Sequence, residues 1–313
     1  MKELYDLVII GAGPAGLTAA IYAQRSQLKT LVLEKLSPGG QLLLSARIEN
    51  YPGFSEAIPA QKLVEQMQKQ AENLGMNLKL EEVKNISQQD GKKIVRTFAE
   101  RQYQALTIII ATGARPSRLG VEGEEKLIGR GVSYCAVCDA PFFKNKIVAV
   151  VGGGSTALEE GLYLAKFASK VYFVHRRGMF RGEKILAKRV SKNPKIEIVW
   201  NSIVEKICGG EEVEKIKIKN LKTEKTSDLA CSGIFIFTGS NPNTEFLKDF
   251  IELDNQGFIK TDERLEANIK GIFACGDARN NLLKQIIIAC GEGALATHIA
   301  EAYVNKTKGV EYK

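Results

Sequence analysis

Hydrophobic residues along the chain come in short blocks, separated by glycine-rich turns and by stretches with helical spacing. The run Leu7-Val8-Ile9-Ile10 is followed by Gly11-Ala12-Gly13-Pro14-Ala15-Gly16, then a helical stretch, then Thr30-Leu31-Val32-Leu33-Glu34. This order predicts strand, glycine turn, helix and strand. The plan returns at residues 147–175. There Ile147 to Val151 is the strand, Gly152-Gly153-Gly154-Ser155-Thr156-Ala157 the turn, Leu158 to Ala168 the helix and Lys170 to Val174 the second strand. The two copies align without a gap. Strand-like segments follow each, with turn signals at Gln89-Asp90-Gly91 and at Cys208-Gly209-Gly210. Each copy then closes on a similar phrase, Ile110-Ala111-Thr112-Gly113-Ala114-Arg115-Pro116 in one and Phe237-Thr238-Gly239-Ser240-Asn241-Pro242 in the other. Glycine and proline interrupt regular structure, so these phrases mark domain exits.

The remainder, from about Thr244 to Lys313, is too short for a third unit of this kind and has no such glycine turn. It holds a strand, Gly271-Ile272-Phe273-Ala274-Cys275, then Gly276-Asp277, and a helical stretch from about Gln285 to Asn305. The simplest assembly inserts the second unit into the first. The expected fold is α/β, with two three-layer, Rossmann-like dinucleotide-binding domains. Residues 1–115 and 245–313 form one domain and residues 116–244 the other.

Composition narrows the class without changing this picture. The 313 residues are 44% hydrophobic and 26% charged, the balance of a globular chain rather than a disordered one. The longest apolar runs, such as Ile147 to Val151 and Ile286 to Cys290, fall short of the roughly 18 to 20 residues that span a bilayer. The opening Met1 to Asp6 carries neither a charged leader nor a signal core. A soluble, cytoplasmic protein with no membrane partner is expected. The net charge of +8 raises nucleic acid as a partner. Lysines scattered through mixed-sign segments such as Glu211 to Lys225 read instead as a solvated surface, and no nucleic acid is expected.

One GxGxxG match is weak evidence; two in matching context are much stronger. Gly11, Gly13, Pro14, Ala15 and Gly16 in one copy, and Gly152, Gly154, Ser155 and Thr156 in the other, should bring backbone N–H groups at a helix start close to a pyrophosphate. The residue closing the second strand then distinguishes the ligands. Glu34 offers a carboxylate to an adenosine ribose, as in FAD or NAD. His175 stands at the equivalent place, followed by Arg176 and Arg177, with Arg181 nearby. Guanidinium groups suit a 2′-phosphate that a carboxylate would repel. The first site therefore suits FAD and the second NADPH, the bland alternative being a solvated basic turn.

Cys135-Ala136-Val137-Cys138 lies just before the second nucleotide unit. A structural zinc site wants four ligands, and the other cysteines are isolated, with only His175 and His298 to help. Two thiols at this spacing favour a reversible disulfide, and beside two dinucleotide units they read as the exit for electrons. Asp139 follows at once. It is either a proton donor to the pair, if burial raises its pKa, or a turn cap. Gly276-Asp277 follows a strand, where an acid can contact a cofactor, and the helix starting near Gln285 would aim its positive end at a flavin.

With these residues in hand, the chain resembles the low-molecular-weight thioredoxin reductases of bacterial type over essentially its whole length. The matching phrases are Gly11 to Gly16, Gly39-Gly40-Gln41, Asn50-Tyr51-Pro52-Gly53, Ala111-Thr112-Gly113, Cys135 to Asp139, Gly152 to Ala157, His175 to Arg181, and Gly276-Asp277 with Gln285 and Ile286. The resemblance implies that the first and last segments hold FAD and that the inserted domain holds NADPH and the cysteine pair. It implies a rotation of one domain against the other between half-reactions. It assigns Cys138 to the flavin, Cys135 to the partner disulfide and Asp139 to proton donation. The partner would be oxidised thioredoxin or a thioredoxin-like protein, and the enzyme a homodimer. Lys284 stands where many members have arginine, Arg279-Asn280-Asn281 replaces an aspartate-containing stretch, and Gly178-Met179 lacks an acid often found there. The alternatives are a related flavoprotein with another donor or acceptor, such as a ferredoxin-linked reductase or a dithiol oxidase, and a non-catalytic redox sensor.

Overall fold

The computed structural model describes residues 3–45, 47–48 and 50–310. The chain divides into two compact units, one made of residues 1–43, 60–115 and 241–313, the other of residues 44–59 and 116–240. The segment 44–59 thus goes with the second unit, although the boundaries read from the sequence place it in the first.

In the first unit the strand Leu4–Ile10 lies between Thr30–Glu34 and Gln102–Ile110, parallel to both. Leu78–Leu80 extends the sheet beyond Thr30–Glu34. Gln102–Ile110 uses its other edge twice. Its first half pairs antiparallel with Lys92–Thr97, and its second half pairs parallel with Ile272–Ala274. At the changeover the buried Thr107 hydroxyl donates to the Gly271 carbonyl at 2.6 Å. The strand Val83–Gln89 completes a hairpin with Lys92–Thr97, closed by Asp90 and Gly91 at φ +49° and +73°. Positive φ at both turn residues is the geometry that matches strand twist, which is why Asp-Gly stands there.

Alternation along the strands gives the sheet two buried faces. Val8, Ile10, Leu31, Leu33, Ile108 and Ile110 share one core with Leu247, Ile251 and Ile259, whereas Leu7 and Ile9 point the other way and are equally buried. The helices Pro14–Arg25, Ala60–Asn73 and Ile286–Lys308 form a layer of their own. Small residues let two of them approach closely: a side chain on Gly293 would stand 2.3 Å from the Ala15 carbonyl oxygen. The last helix runs three residues past the expected Asn305 and stops at Gly309, which takes the left-handed φ of +72° that glycine tolerates.

The second unit repeats the plan. Its all-parallel sheet has the order Ile196–Trp200, Lys170–His175, Ile147–Gly152, Gly233–Phe237, Val132–Ser133. Val148, Val150, Phe173 and Phe235 pack with the helices Ser155–Leu164 and Lys184–Lys192. Ala149, Val151, Val174, Ile234 and Ile236 pack on the other face, with Val204, Ile207, Ile216 and Ile218 of an antiparallel sheet formed by Ser202–Cys208, Lys215–Asn220 and Thr226–Ala230. Three layers result. The helix expected over Leu158 to Ala168 starts and stops earlier, at Ser155 and Leu164. The Lys195 ammonium donates to the carbonyls of Ala165 and Ala168, both at 3.0 Å, and so satisfies acceptors where the helix ends.

Where the chain passes from one unit to the other, Ala114–Pro116 and Ser240–Pro242 form a two-stranded sheet. On the first unit's side Thr112 Oγ1 donates to the Asn243 carbonyl and Asn243 Nδ2 donates back to the Thr112 carbonyl, each at 2.8 Å. The two Thr-Gly phrases are thus paired exits.

Candidate functional site

The three glycines of the first turn have three different reasons to be glycine. Gly11 has φ +104°, and a side chain there would stand 2.4 Å from the Ala111 carbonyl oxygen. A side chain on Gly16 would lie 1.9 Å from the Gly11 oxygen, so its absence lets helix and strand pack. A side chain on Gly13 would meet nothing within 4 Å. It faces open space at the start of the helix Pro14–Arg25, where the first N–H groups lack helical partners. That is the cradle a pyrophosphate needs.

The other first-unit candidates gather around this turn. Glu34 Oε2 accepts the Ala12 N–H at 2.7 Å and Oε1 accepts the Leu36 N–H at 3.1 Å. Each oxygen keeps a second lone pair for a ribose hydroxyl. Gly39 N–H donates to the Ala12 carbonyl, and a side chain on Gly40 would stand 3.5 Å from the Gly13 α-carbon. Gln41 is exposed in the short helical turn Gly40–Leu44. Gly113, at φ +65°, follows Thr112 at the end of the strand Gln102–Ile110. Gly276, at φ +68°, lies beside Ala15, since a side chain there would come within 3.0 Å of the Ala15 Cβ. Asp277 is partly buried, and desolvation pushes its carboxyl above the usual range against the opposing pull of the Lys284 ammonium. Gln285 caps the helix Ile286–Lys308, whose first residue, Ile286, is half-buried.

The group that holds Gly276 in place carries no motif in the sequence. Glu292 accepts the Gly276 N–H at 2.8 Å and is paired with Arg279. Asn281 Nδ2 donates to the Gly276 carbonyl at 3.1 Å, while its Oδ1 is buried without a hydrogen-bond partner. A buried acceptor beside this turn is what a cofactor hydroxyl would satisfy. Asn50, exposed, lies in the segment 44–59 that goes with the other unit.

In the second unit Gly152 and Gly154 repeat the division of roles. A side chain on Gly152 would stand 2.6 Å from both the Ala157 Cβ and the Phe237 oxygen, whereas one on Gly154 would meet nothing within 4 Å. Ser155 and Thr156 open the helix there, and Ser155 Oγ accepts the Glu183 N–H at 3.1 Å. The loop after Lys170–His175 folds back on the turn. The N–H groups of Arg181 and Gly182 both donate to the Gly153 carbonyl, at 2.8 and 3.0 Å. This returns Arg181 to the turn, and the side chains of Arg176, Arg177 and Arg181 are all exposed to solvent. Exposed guanidinium groups beside an open glycine cradle fit a nucleotide bearing an extra phosphate.

His175 does different work. Its ring is only 5% exposed, Nε2 lies 3.1 Å from the Met179 carbonyl oxygen, and Phe180 and Trp200 pack against it. Burial, reinforced by Arg181 and Arg177, lowers its pKa and favours the neutral form. A buried, neutral imidazole shapes the loop and leaves the charge to the arginines.

The third cluster is the cysteine pair. Cys135 and Cys138 form a disulfide across the helical turn Ala136–Asp139, with Cα atoms 5.4 Å apart. The Cys138 N–H donates to Cys135 Sγ at 3.2 Å. Asp139 is 9% exposed, and desolvation pushes its pKa up to about 6, against a hydrogen bond of 2.6 Å from the Ser133 hydroxyl. Ser133 Oγ in turn accepts the Cys135 N–H at 3.1 Å. A buried acid titrating near neutrality is therefore one hydroxyl away from the backbone of the disulfide. Among the described residues no group of three or more histidines, cysteines or acids is arranged to hold a metal, and no helix is long and apolar enough to cross a membrane.

The family model described as pyridine nucleotide-disulphide oxidoreductase matches residues 5–293. The thioredoxin reductase of Peptoclostridium acidaminophilum is 43% identical over 310 residues, covering 97% of this chain and 98% of that protein. That of Rickettsia bellii is 44% identical, covering 98% of this chain and all of that one. The crystal structure of thioredoxin reductase from Streptococcus pyogenes superposes with a TM-score of 0.92 at 43% identity, covering 98% of this chain and 100% of that one.

Proposed function

The chain belongs to the thioredoxin reductases of the pyridine nucleotide-disulphide oxidoreductase family, and on that footing we propose that it is an NADPH-dependent, FAD-containing thioredoxin-disulfide reductase working through Cys135 and Cys138. The observation that carries this reading is the disulfide itself, formed in the same unit as an open glycine cradle and three exposed arginines. The unit of residues 1–43, 60–115 and 241–313 would hold FAD, through the backbone at Gly11, Gly13, Pro14, Ala15 and Gly16, the carboxylate of Glu34, and the turns at Gly40, Gln41, Thr112, Gly113, Gly276 and Asp277, with Gln285 and Ile286. The domain 116–244 would hold NADPH, through Gly152, Gly154, Ser155 and Thr156 at the pyrophosphate and Arg176, Arg177 and Arg181 at the 2′-phosphate, shaped by His175.

Bound FAD supplies hydride acceptance from NADPH and release of the electron pair to a disulfide. The protein's own residues do the rest. Cys138 receives the pair as the S–S bond breaks, Cys135 is freed to attack a disulfide of oxidised thioredoxin or a thioredoxin-like protein, and Asp139 holds the proton that quenches the departing thiolate. A cytoplasmic homodimer is part of the same proposal.

Steady-state NADPH oxidation with oxidised thioredoxin as acceptor tests it, with NADH and a Cys138→Ser variant in parallel. Turnover that prefers NADPH and disappears in the variant is expected. Flavin bleaching by NADPH without thioredoxin turnover would leave the nucleotide sites standing and overturn the partner. No bleaching would overturn the arginine argument and point to another donor, such as ferredoxin.

A further inference from the structure

The disulfide-bearing turn is held by a second carboxylate that the mechanism above does not use. Glu160 projects from the helix Ser155–Leu164, and its Oε2 accepts the Ala136 N–H at 2.9 Å. The Val137 N–H lies close enough to act on the same carboxylate. The first amide inside the turn therefore donates to Glu160, and the third, that of Cys138, donates to Cys135 Sγ. Were Glu160 neutral, no carboxylate charge would stand beside the turn's N–H groups to oppose negative charge on Cys135, and such N–H groups are what lowers a thiol's pKa at this position. Burial of Glu160 raises its own pKa, the Ala136 and Val137 N–H groups oppose this, and the exposed neighbour Glu159 adds to the rise. Its ionised form is thus bought with the turn's N–H groups.

We propose that Glu160 is a positioning residue that makes the Cys135–Cys138 dithiol more reducing, by holding its own negative charge against the first N–H group of the turn and so opposing negative charge on the Cys135 thiolate. Reduction breaks the Sγ–Sγ bond and takes up two electrons. With one proton it leaves one thiol and one thiolate; with two it leaves two thiols. A charge fixed beside the turn disfavours the thiolate product, so the reduced pair gives its electrons up more readily. Other ionisable groups on the elements packed around the turn are Asp139, reached through Ser133, the exposed Glu159 on the same helix as Glu160, and the exposed Arg47 of the strand Arg47–Ile48. The inference rests on the reading of the pair as redox-active but not on which protein accepts the electrons.

The test is the equilibrium of the full-length, FAD-loaded protein with oxidised and reduced dithiothreitol at pH 8, the free thiols being trapped by alkylation and Cys135 and Cys138 counted by mass spectrometry. Glu160→Gln keeps an oxygen for the Ala136 N–H and loses only the charge; Glu159→Gln controls for charge on the same helix. Glu160→Gln should move the equilibrium about tenfold toward the reduced pair, which for two electrons is about 30 mV. It should also raise the alkylation rate of Cys135 below neutral pH, while Glu159→Gln does neither. An unchanged equilibrium and alkylation rate in Glu160→Gln would overturn the inference, as would an equal shift in Glu159→Gln. Glu160→Leu, which removes both charge and acceptor, separates the effects further: a shift in Leu without one in Gln would make Glu160 a structural cap only. If the wild-type pair failed to be reduced by NADPH, the proposed electron path would fall, whatever the dithiothreitol titration gave.

Discussion

The imidazole of His175 rests against the α-carbon of Gly153, so closely that a side chain added at 153 would stand 2.2 Å from Cε1 and 2.4 Å from Nδ1. The Gly153 carbonyl meanwhile accepts the Arg181 and Gly182 N–H groups. One glycine therefore fixes the ring and the arginine loop together. Gly153→Ala should displace His175, lower stability by about 1–3 kcal/mol as overpacking does, and weaken NADPH. Gly154→Ala is the contrasting change, because a side chain there meets nothing within 4 Å. It should leave the melting temperature unchanged and raise the NADPH KM by crowding the pyrophosphate. Thermal melts and nucleotide titrations of the two variants check the pair; a Gly154→Ala protein with wild-type KM would remove that glycine from the site.

Arg176, Arg177 and Arg181 are exposed, so replacing them costs the fold little. Each replaced by Ala should raise the NADPH KM by about tenfold, roughly 1.4 kcal/mol, a value typical of a charge-assisted bond to phosphate. The NADH KM and kcat should hardly move, which is the pattern of lost ground-state binding. Equal losses for NADPH and NADH would mean that the guanidinium groups serve the loop and not the 2′-phosphate.

Much of this arrangement was legible in the sequence, and what was not has a common cause. Gly11, Gly13 and Gly16, or Gly152 and Gly154, announce themselves because turn, approach and packing fall at fixed local spacings. The same locality made Cys135 and Cys138 readable. His175 was read with the arginines that follow it, yet it is buried under Phe180 and Trp200, which lie 5 and 25 positions further on. Glu292, which fixes Gly276, and Glu160, which holds the cysteine turn, sit 16 and 24 positions from the amides they accept. No periodicity links such partners. The segment 44–59 shows the same limit, since its place with residues 116–240 is a matter of contacts made far along the chain.

The pH dependence of the dithiol chemistry should carry the mark of Asp139. Burial raises its pKa from an ordinary carboxylate's 3.8 to about 6. The folded state therefore holds a proton that the unfolded chain has lost between those two values. The associated stability is fully present below about pH 4 and is lost as the pH rises through about 6. A shift of this size corresponds to about 3 kcal/mol. Asp139→Asn should flatten that decline. The proposed role of the acid form as proton donor predicts that, in rapid-reaction measurements, disulfide reduction slows as pH rises through about 6 and the Asn variant is slow throughout. A wild-type profile flat across that range would return Asp139 to the role of a turn cap.

Thr112 and Asn243 supply a test of what a candidate cofactor residue does. The Thr112 hydroxyl already donates its proton to the Asn243 carbonyl, and Asn243 Nδ2 returns a bond to the Thr112 carbonyl. The side chain of Thr112 is thereby committed to joining the two chain exits, and only the hydroxyl's acceptor capacity is left for a ligand. Thr112→Val should then lower stability by about 1 kcal/mol, the net worth of one hydrogen bond. Asn243→Ala should cost about as much, because it leaves the Thr112 carbonyl short of its donor. Both should bind FAD with nearly wild-type affinity, measured by flavin fluorescence on dilution. The double variant should cost less than the sum of the two, since the bonds belong to one paired unit. Release of FAD from Thr112→Val alone, with Asn243→Ala still yellow, would put the hydroxyl on the cofactor after all.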